Sequence, residues 1–167
     1  KPNLIVSCNS FSAPGSDQFE KGIKLMTYAH QRQLPHVKSI DYLMGIWLQP
    51  LIRQSKADDV LYHQNGVLTE CPRSNFFIVT KDNRIITPAK NILKGVMRSH
   101  LIEVAKTKFI VEERDLTLEE IKTAKEAFIT STTKTILPVK QINEHVFTSV
   151  NNISKELYQR LVQLQTI

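Results

Sequence analysis

The chain has 167 residues, a length that suits a single domain with a sizeable hydrophobic core. Its longest apolar runs fall short of the roughly 20 residues that a membrane helix needs, and its first residues lack the apolar segment of a secretory signal. The net charge is +6, but the basic residues are scattered and not interleaved with aromatic side chains. We therefore expect a cytoplasmic protein that binds neither nucleic acid nor membrane.

Motifs for metal binding and for common nucleophiles are missing from the sequence. Cys8 and Cys71 fit no CxxC spacing, and the five histidines form no i, i+4 pair. There is no GxSxG or GxxxxGK[ST] segment either. These patterns predict two reduced thiols and no metal site.

The first part of the chain predicts two strands, a helix and a hairpin. Two β-rich runs predict the strands, at Leu4–Cys8 and Gly22–Ala29. Apolar residues from Ile40 to Ile52 recur at helical spacing, which predicts one helix with a single buried stripe, interrupted near Leu48 by Pro50. An Asn65-Gly66 turn predicts a hairpin over residues 59–70, because both residues accept positive φ.

The later part predicts hairpins and separated helices. The predicted elements are a hairpin at 75–87, a helix at 95–106, a strand at 109–113, a short helix after residue 117, strands at 126–130 and 136–139, and a helix at 153–164. Thr117 and Glu120 form a capping-box pattern, and Pro138 favours a sheet edge or a bulge. This order predicts one α+β domain over residues 1–167, not a doubly wound parallel sheet.

Two ionisable side chains are candidates for chemistry. Lys38 lies between an extended segment and the apolar helix, where a partly desolvated lysine can act as a nucleophilic amine. Glu70 follows a strand, where a carboxylate can face a pyridine nitrogen and keep it protonated. On position alone, each is more simply a solvated surface charge.

Two segments offer donors to a phosphate group. Gly95-Val96-Met97 opens a helix whose free N–H groups and dipole favour an anion, although every helix has such an end. The hydroxyl cluster at residues 130–133 follows a strand, although such clusters form turns more often than ligand sites. Neither segment identifies a ligand by itself.

Four blocks of the sequence, taken in this order, resemble the fold-type-IV pyridoxal-phosphate enzymes, which include branched-chain and D-amino-acid aminotransferases and aminodeoxychorismate lyases. The blocks are LPHVKSIDYL (34–43), NGVLTECPRSNFF (65–77), ITPAKNILKGVMR (86–98) and EAFITSTTKTILPV (126–139). The resemblance implies the C-terminal cofactor domain of the D-amino-acid aminotransferase-like fold, a hairpin-rich sheet or pseudobarrel surrounded by helices. The smaller N-terminal domain of the family, which supplies an arginine to the phosphate, has no counterpart in this sequence.

The resemblance implies roles around the ring of pyridoxal 5'-phosphate. Lys38 is expected to form the Schiff base with the cofactor and to move the proton at the substrate's Cα. Glu70 is expected to pair with the pyridinium nitrogen, and Leu93 to pack on the ring face. Tyr42 resembles a tyrosine that, in branched-chain members of the family, donates a hydrogen bond to the ring oxygen.

The resemblance also implies the phosphate and substrate contacts. The amides of Val96 and Met97 and the Thr132 hydroxyl and amide are expected to bind the phosphate, with Ser131 supporting them. The amides of Thr132 and Thr133 are expected to lie near the substrate carboxylate. Family members commonly have Thr where this chain has Met97, so one phosphate hydrogen bond, worth about 1 kcal/mol, is expected to be missing.

The function implied by the resemblance is amino-group transfer between an amino acid and a 2-oxo acid by a homodimer. An aminodeoxychorismate lyase, which releases pyruvate without an oxo-acid acceptor, is the alternative within the family. A non-catalytic fragment or dimerisation domain is the alternative outside enzymes, because the sequence matches the cofactor domain alone.

Overall fold

The computed structural model describes residues 4, 6, 8, 14–149 and 152–165. Its helices and strands, in chain order, are α1 (Ser16–Lys21), β1 (Ile23–Ala29), α2 (Leu43–Trp47), α3 (Gln49–Gln54), β2 (Asp59–Gln64), β3 (Val67–Leu68), β4 (Glu70–Cys71), β5 (Ser74–Val79), β6 (Ile85–Thr87), α4 (Val96–Lys106), β7 (Val111–Glu113), α5 (Leu118–Ile121), β8 (Glu126–Ser131), β9 (Thr135–Ile142), β10 (His145–Val146) and α6 (Asn152–Gln165). In this part of the chain, no helix combines the length and the apolar character needed to cross a bilayer.

The described strands form one mixed sheet. Its main path runs β3-β2-β1-β9-β8-β5-β6-β7, with β10 beside β9 and β4 beside β5. Strand β1 is parallel to β2 and β9, and β6 is parallel to β7, whereas the β4–β5, β5–β8 and β8–β9 pairs are antiparallel. A mixed sheet with helices packed against it confirms the predicted α+β class.

Strand β5 is buried over its whole length because the sheet is covered on both faces. Successive side chains of a strand point to opposite faces, and here Phe76 and Ile78 enter one hydrophobic core while Phe77 and Val79 enter the other. The second core, which includes residues of α4 and α6, also contains Phe128, stacked on Phe77 with ring centroids 5.0 Å apart. This strand supports the functional site on its N-terminal end.

The predicted turns and caps are mostly confirmed. Asn65 and Gly66 join β2 to β3 with φ of 51° and 81°, as the hairpin prediction requires. Thr117 and Glu120 form the predicted capping box at α5. Of the predicted strand at Leu4–Cys8, residues 4, 6 and 8 are described and are not in a strand, whereas residues 5 and 7 lie outside the described residues. Helix α1 was not predicted.

The predicted helix over Ile40–Ile52 is wrong in two respects. The chain forms two short helices that meet at Leu48, with Pro50 in the first turn of α3, so the break at proline is confirmed but a single helix is not. The apolar stripe is also largely exposed: the exposed fraction is 94% for Ile40, 73% for Leu43 and 65% for Trp47. Periodicity correctly identified an apolar face, but the sheet covers only its Leu48 end.

The prediction of a sheet edge at Pro138 is wrong, whereas a bulge is present. Strand β9 lies inside the sheet between β1 and β8, and Pro138 pairs with Phe128. On the other side, the register with β1 shifts between Ile23 and Lys24, whose partners are Val139 and Gln141. The irregularity accommodates a residue that has no N–H to donate to the neighbouring strand.

A buried carboxylate fixes the start of α6 to the sheet. Glu126 on β8 is 1% exposed, and its oxygens accept hydrogen bonds from the N–H groups of Ile153 and Ser154 and from the Ser149 hydroxyl at 3.1–3.4 Å. The first N–H groups of a helix have no partner within the helix, and the dipole favours a negative charge there. Glu126 therefore docks α6 onto the second core.

We expect Glu126→Ala to lower the free energy of unfolding by about 2–3 kcal/mol, because buried N–H groups lose a charged acceptor. Urea unfolding followed by circular dichroism measures the change. Glu119→Ala, which removes an exposed carboxylate paired with Lys122, is the matched control and should change the value by less than about 0.5 kcal/mol. Equal effects of the two substitutions would contradict the docking role of Glu126.

Candidate active site

A cavity of about 360 Å³ opens beside the N-terminal end of β5. It is lined by the loop before α2, the β4–β5 hairpin, the segment that leads into α4 and the end of β8. Eight of the nine predicted site residues line it: Lys38, Tyr42, Glu70, Leu93, Val96, Met97, Ser131 and Thr132. Thr133 does not; it lines an adjoining cavity of about 410 Å³, which shares Tyr42, Arg73 and Ser131 with the first.

Strand pairing explains why distant parts of the sequence meet here. Strand β5 pairs with β4 on one side and β8 on the other, so that Asn75 lies opposite both Glu70 and Thr130. The hydroxyl cluster that follows Thr130 therefore begins at the same sheet end as the carboxylate. Sequence reasoning missed Asn75, although it lies within one of the four matching blocks.

Glu70 is the buried charge of the site, only 4% exposed. One carboxylate oxygen accepts a hydrogen bond from Arg32 Nη1 at 3.1 Å, and the other accepts from Leu93 N at 2.9 Å and Asn75 Nδ2 at 3.4 Å. Burial raises the pKa of the Glu70 carboxyl, while the Leu93 N–H and the Arg32 guanidinium partly offset that rise. Glu70 is thus a buried acid with hydrogen-bond partners in the fold, and not a solvated carboxylate at the end of a strand.

Arg32 connects Glu70 to the loop that carries Lys38. Besides Glu70, its guanidinium donates to Val37 O at 3.0 Å and to Ser39 Oγ at 3.3 Å, on either side of Lys38. Sequence reasoning missed this arginine, because its partner Glu70 lies 38 residues away. The Lys38 side chain itself is exposed at the cavity. This corrects the expectation that the side chain is partly desolvated.

The start of α4 is held by a close fit between Gly95 and Asn75. Asn75 Nδ2 donates to Leu93 O at 2.7 Å, and a Cβ added at Gly95 would lie only 2.5 Å from Asn75 Oδ1. Gly95 provides no side-chain cap to α4, and Val96 and Met97 follow it as the first helical residues. Free N–H groups at this position favour an anion in the cavity.

Two buried polar atoms in the cavity lining have no hydrogen-bond partner in the structure. They are Thr130 Oγ1 and Arg98 Nε, each on a residue no more than 2% exposed. Such atoms are rare in folded proteins, and a ligand is one of the groups that can satisfy them. The residues present therefore fit a polar ligand between Glu70 and the start of α4.

The charges of the lining favour an anionic ligand. The cavity is lined by the cations Arg32, Lys38, Arg73, Lys94 and Arg98, against the single carboxylate of Glu70. Arg32 is paired with Glu70, and Arg98 with Glu113 outside the cavity. A concave site lined by one sign of charge concentrates ligands of the opposite sign. Among the described residues, no group of three His, Cys, Asp or Glu side chains could hold a metal ion.

Comparison with known proteins shows the family of the chain. Residues 1–142 match the family model described as "Amino-transferase class IV". The chain is 32% identical over 178 residues to the branched-chain-amino-acid aminotransferase of Helicobacter pylori, covering 97% of this chain and 52% of that protein. It is 36% identical over 130 residues to a D-alanine aminotransferase of Listeria monocytogenes, covering 75% of this chain and 45% of that protein.

Solved structures share the fold. A Legionella pneumophila protein, provisionally assigned as a 4-amino-4-deoxychorismate lyase, superposes with a TM-score of 0.78 at 29% identity, over 84% of this chain and 55% of that one. The branched-chain aminotransferase of Escherichia coli superposes with a TM-score of 0.79 at 24% identity, over 90% and 53% of the two chains. This chain therefore belongs to the class IV aminotransferase family and has its fold, and it spans about half the length of the curated relatives it matches.

We expect Gly95→Ala to destabilise the protein by about 1–3 kcal/mol, because the new methyl group meets an Asn75 side chain that hydrogen bonds prevent from moving aside. In an Asn75→Ala background the same substitution should cost far less, since the obstructing oxygen is gone. A double-mutant cycle of urea unfolding measures this coupling. Additive effects would show that the two residues do not constrain each other.

Proposed function

We propose that this chain is the cofactor-binding part of a pyridoxal 5'-phosphate-dependent aminotransferase, which moves an amino group between an amino acid and a 2-oxo acid. The observation that carries the proposal is one cavity lined by an exposed Lys38 amine, a buried Glu70 carboxylate and the uncapped start of α4. Bound pyridoxal phosphate supplies an electron sink for the bonding electrons of the amino acid's Cα. Family membership supports the proposal without defining the substrate.

Lys38 and Glu70 have separate roles in this proposal. The Lys38 amine would hold the cofactor covalently and, once released, would serve as the base that takes the proton from the substrate's Cα. Glu70 pairs with the protonated ring nitrogen, and Arg32 and the Leu93 N–H favour the charged carboxylate that this pairing needs. Arg32 also donates to the Val37 carbonyl and the Ser39 hydroxyl, on either side of Lys38.

The other predicted residues hold the remaining parts of the cofactor and substrate. The Leu93 side chain packs on the ring face, and Tyr42 lies beside the ring oxygen. The N–H groups of Val96 and Met97 bind the phosphate. Thr132 donates to the phosphate with support from Ser131, and Thr133, in the adjoining cavity, lies with Thr132 beside the substrate carboxylate.

We expect borohydride reduction in the presence of pyridoxal phosphate to fix the cofactor on Lys38, located by peptide mass. Lys38→Ala should lose at least about nine-tenths of the label, since Lys94, the other lysine of the described cavity lining, lies at the start of α4, where the proposal places the phosphate and not the aldehyde. Lys90→Ala removes an exposed lysine paired with Asp115 outside the cavity and should leave the label unchanged. Labelling spread evenly over surface lysines would contradict the proposal.

An aminodeoxychorismate lyase remains the second candidate, supported by the likeness to the Legionella protein. A non-catalytic domain is the third, supported by the chain's span of about half its relatives. A longer version of the chain, carrying the further half found in those relatives, distinguishes the three. Amino transfer to a 2-oxo acid supports the aminotransferase, and pyruvate release from aminodeoxychorismate alone supports the lyase. The absence of both reactions supports the non-catalytic domain.

We also propose that the protein acts in the cytoplasm as a homodimer, whose second copy covers the exposed apolar face before and along α2 and α3. This face is formed by Leu34, Val37, Ile40, Leu43, Ile46, Trp47 and Leu51. Contiguous exposed apolar surface of this kind typically marks a protein interface. The two cysteines are unpaired, which fits a reducing compartment.

We expect Ile46→Glu to weaken self-association by at least about tenfold, because a charge in an apolar interface loses its hydration. Light scattering across a concentration series measures the dissociation constant. Ile110→Glu is the matched control, since Ile110 is equally exposed, at 60% against 63%, but lies just before β7, away from this face. A monomeric parent chain, or equal weakening by both variants, would contradict the proposed interface.

A further inference from the structure

Arg73 lies at the tip of the β4–β5 hairpin, on the rim of the cavity. Cys71 pairs with Ser74, so Pro72 and Arg73 form the turn between the two strands. Strands β5 and β8 are antiparallel and Asn75 lies opposite Thr130, so the turn before β5, which carries Arg73, and the turn after β8, which carries Thr132, leave the sheet at the same end. Arg73 and Thr132 both line the cavity. The hairpin tip therefore extends the hydroxyl cluster with a cation.

The Arg73 guanidinium is held in place but not neutralised. Its central carbon lies 4.8 Å from the centroid of the Tyr42 ring. In the part of the chain that the structure describes, no carboxylate forms an ion pair with it, whereas Arg32 and Arg98 are paired with Glu70 and Glu113. A guanidinium stacked on an aromatic ring keeps its in-plane N–H donors free, and their fork matches a phosphate or carboxylate.

The groups near Arg73 have hydrogen-bond donors that an oxyanion can accept from, and Arg73 can balance the negative charge of that oxyanion. The start of α4 has no side-chain cap, Met97 has no hydroxyl to offer, and Thr130 Oγ1 is buried without a partner. Backbone N–H groups and a hydroxyl supply hydrogen bonds but no full positive charge. Arg73 is the arginine of the lining that is free to supply one.

We propose that Arg73 binds the phosphate group of the cofactor and supplies, from within this chain, a full positive charge at the phosphate subsite. The inference rests on the proposed function, because it takes the oxyanion to be part of pyridoxal phosphate. The carboxylate of an amino or oxo acid is the other source of an oxyanion at the same turn. The two sources differ in which ligand loses affinity when Arg73 is replaced.

The test compares the affinities of the parent chain, Arg73→Ala, Arg73→Lys and Arg53→Ala for inorganic phosphate, pyridoxal phosphate, pyridoxal and pyruvate, measured by calorimetry. Arg73→Ala should weaken binding of both phosphate-bearing ligands by about tenfold or more, the effect of losing a charge-assisted hydrogen bond, and leave pyridoxal unchanged. Arg73→Lys should retain part of the affinity as a point charge. Arg53 on α3 is exposed and lies outside the cavity lining, so Arg53→Ala controls for net charge.

Four outcomes would overturn the role of Arg73, the first three by removing a specific effect of this residue on phosphate. These are no phosphate binding by the parent chain, equal losses in Arg73→Ala and Arg53→Ala, and a loss that extends equally to pyridoxal. A fourth, weakening confined to a 2-oxo acid such as pyruvate, would assign Arg73 to the substrate carboxylate and also overturn it. The inorganic phosphate measurement does not involve Lys38. If phosphate binding depends on Arg73 but Lys38 takes up no label, the proposed function is therefore refuted. The conclusion that Arg73 forms an anion site still holds in that case.

Discussion

The buried carboxylate of Glu70 is the interaction on which the arrangement of the site depends. A charge removed from water must be compensated by hydrogen bonds or an ion pair, or the fold loses several kcal/mol. Its three donors come from three separate segments: Arg32 before the Lys38 loop, Asn75 on β5, and the Leu93 N–H before α4. Satisfying one charge therefore holds the loop that carries Lys38, the sheet and the start of α4 in a single arrangement.

Asn75 extends this constraint from charge to shape. Its amide nitrogen contacts both Glu70 and the Leu93 carbonyl, and its oxygen occupies the space that a side chain at Gly95 would need. The start of α4 can lie this close to β5 only because residue 95 has no Cβ. The same strand carries Phe76 and Phe77 into the two cores, so the position of the helix start is set by a strand that is buried over its whole length.

Two features of the surface have no partner within the described chain: the excess of cations in the cavity and the exposed apolar face along α2 and α3. Each suits a binding partner of the matching chemistry. The cavity has more cations than acids in its lining, which suits an anionic ligand. The apolar face along α2 and α3 borders the same region, since Tyr42 immediately precedes α2 and lines the cavity. A partner that covers that face would therefore lie next to the cavity, which links assembly to the environment of the proposed ligand.

The sequence by itself determined the local structure and the composition of the site. Asn65-Gly66, the Thr117 capping box and the β-rich runs encode their elements through short-range chemistry, and the four matching blocks contained eight residues that the fold brings to one cavity. Only the tertiary structure decided which surfaces are covered and which distant groups pair. Helical periodicity marks an apolar face but not its partner, so the exposure of Leu43 and Trp47 was not predicted. The contacts of Arg32 with Glu70 and of Asn75 with Gly95 join residues far apart in the chain, and local patterns carry no information about such pairs.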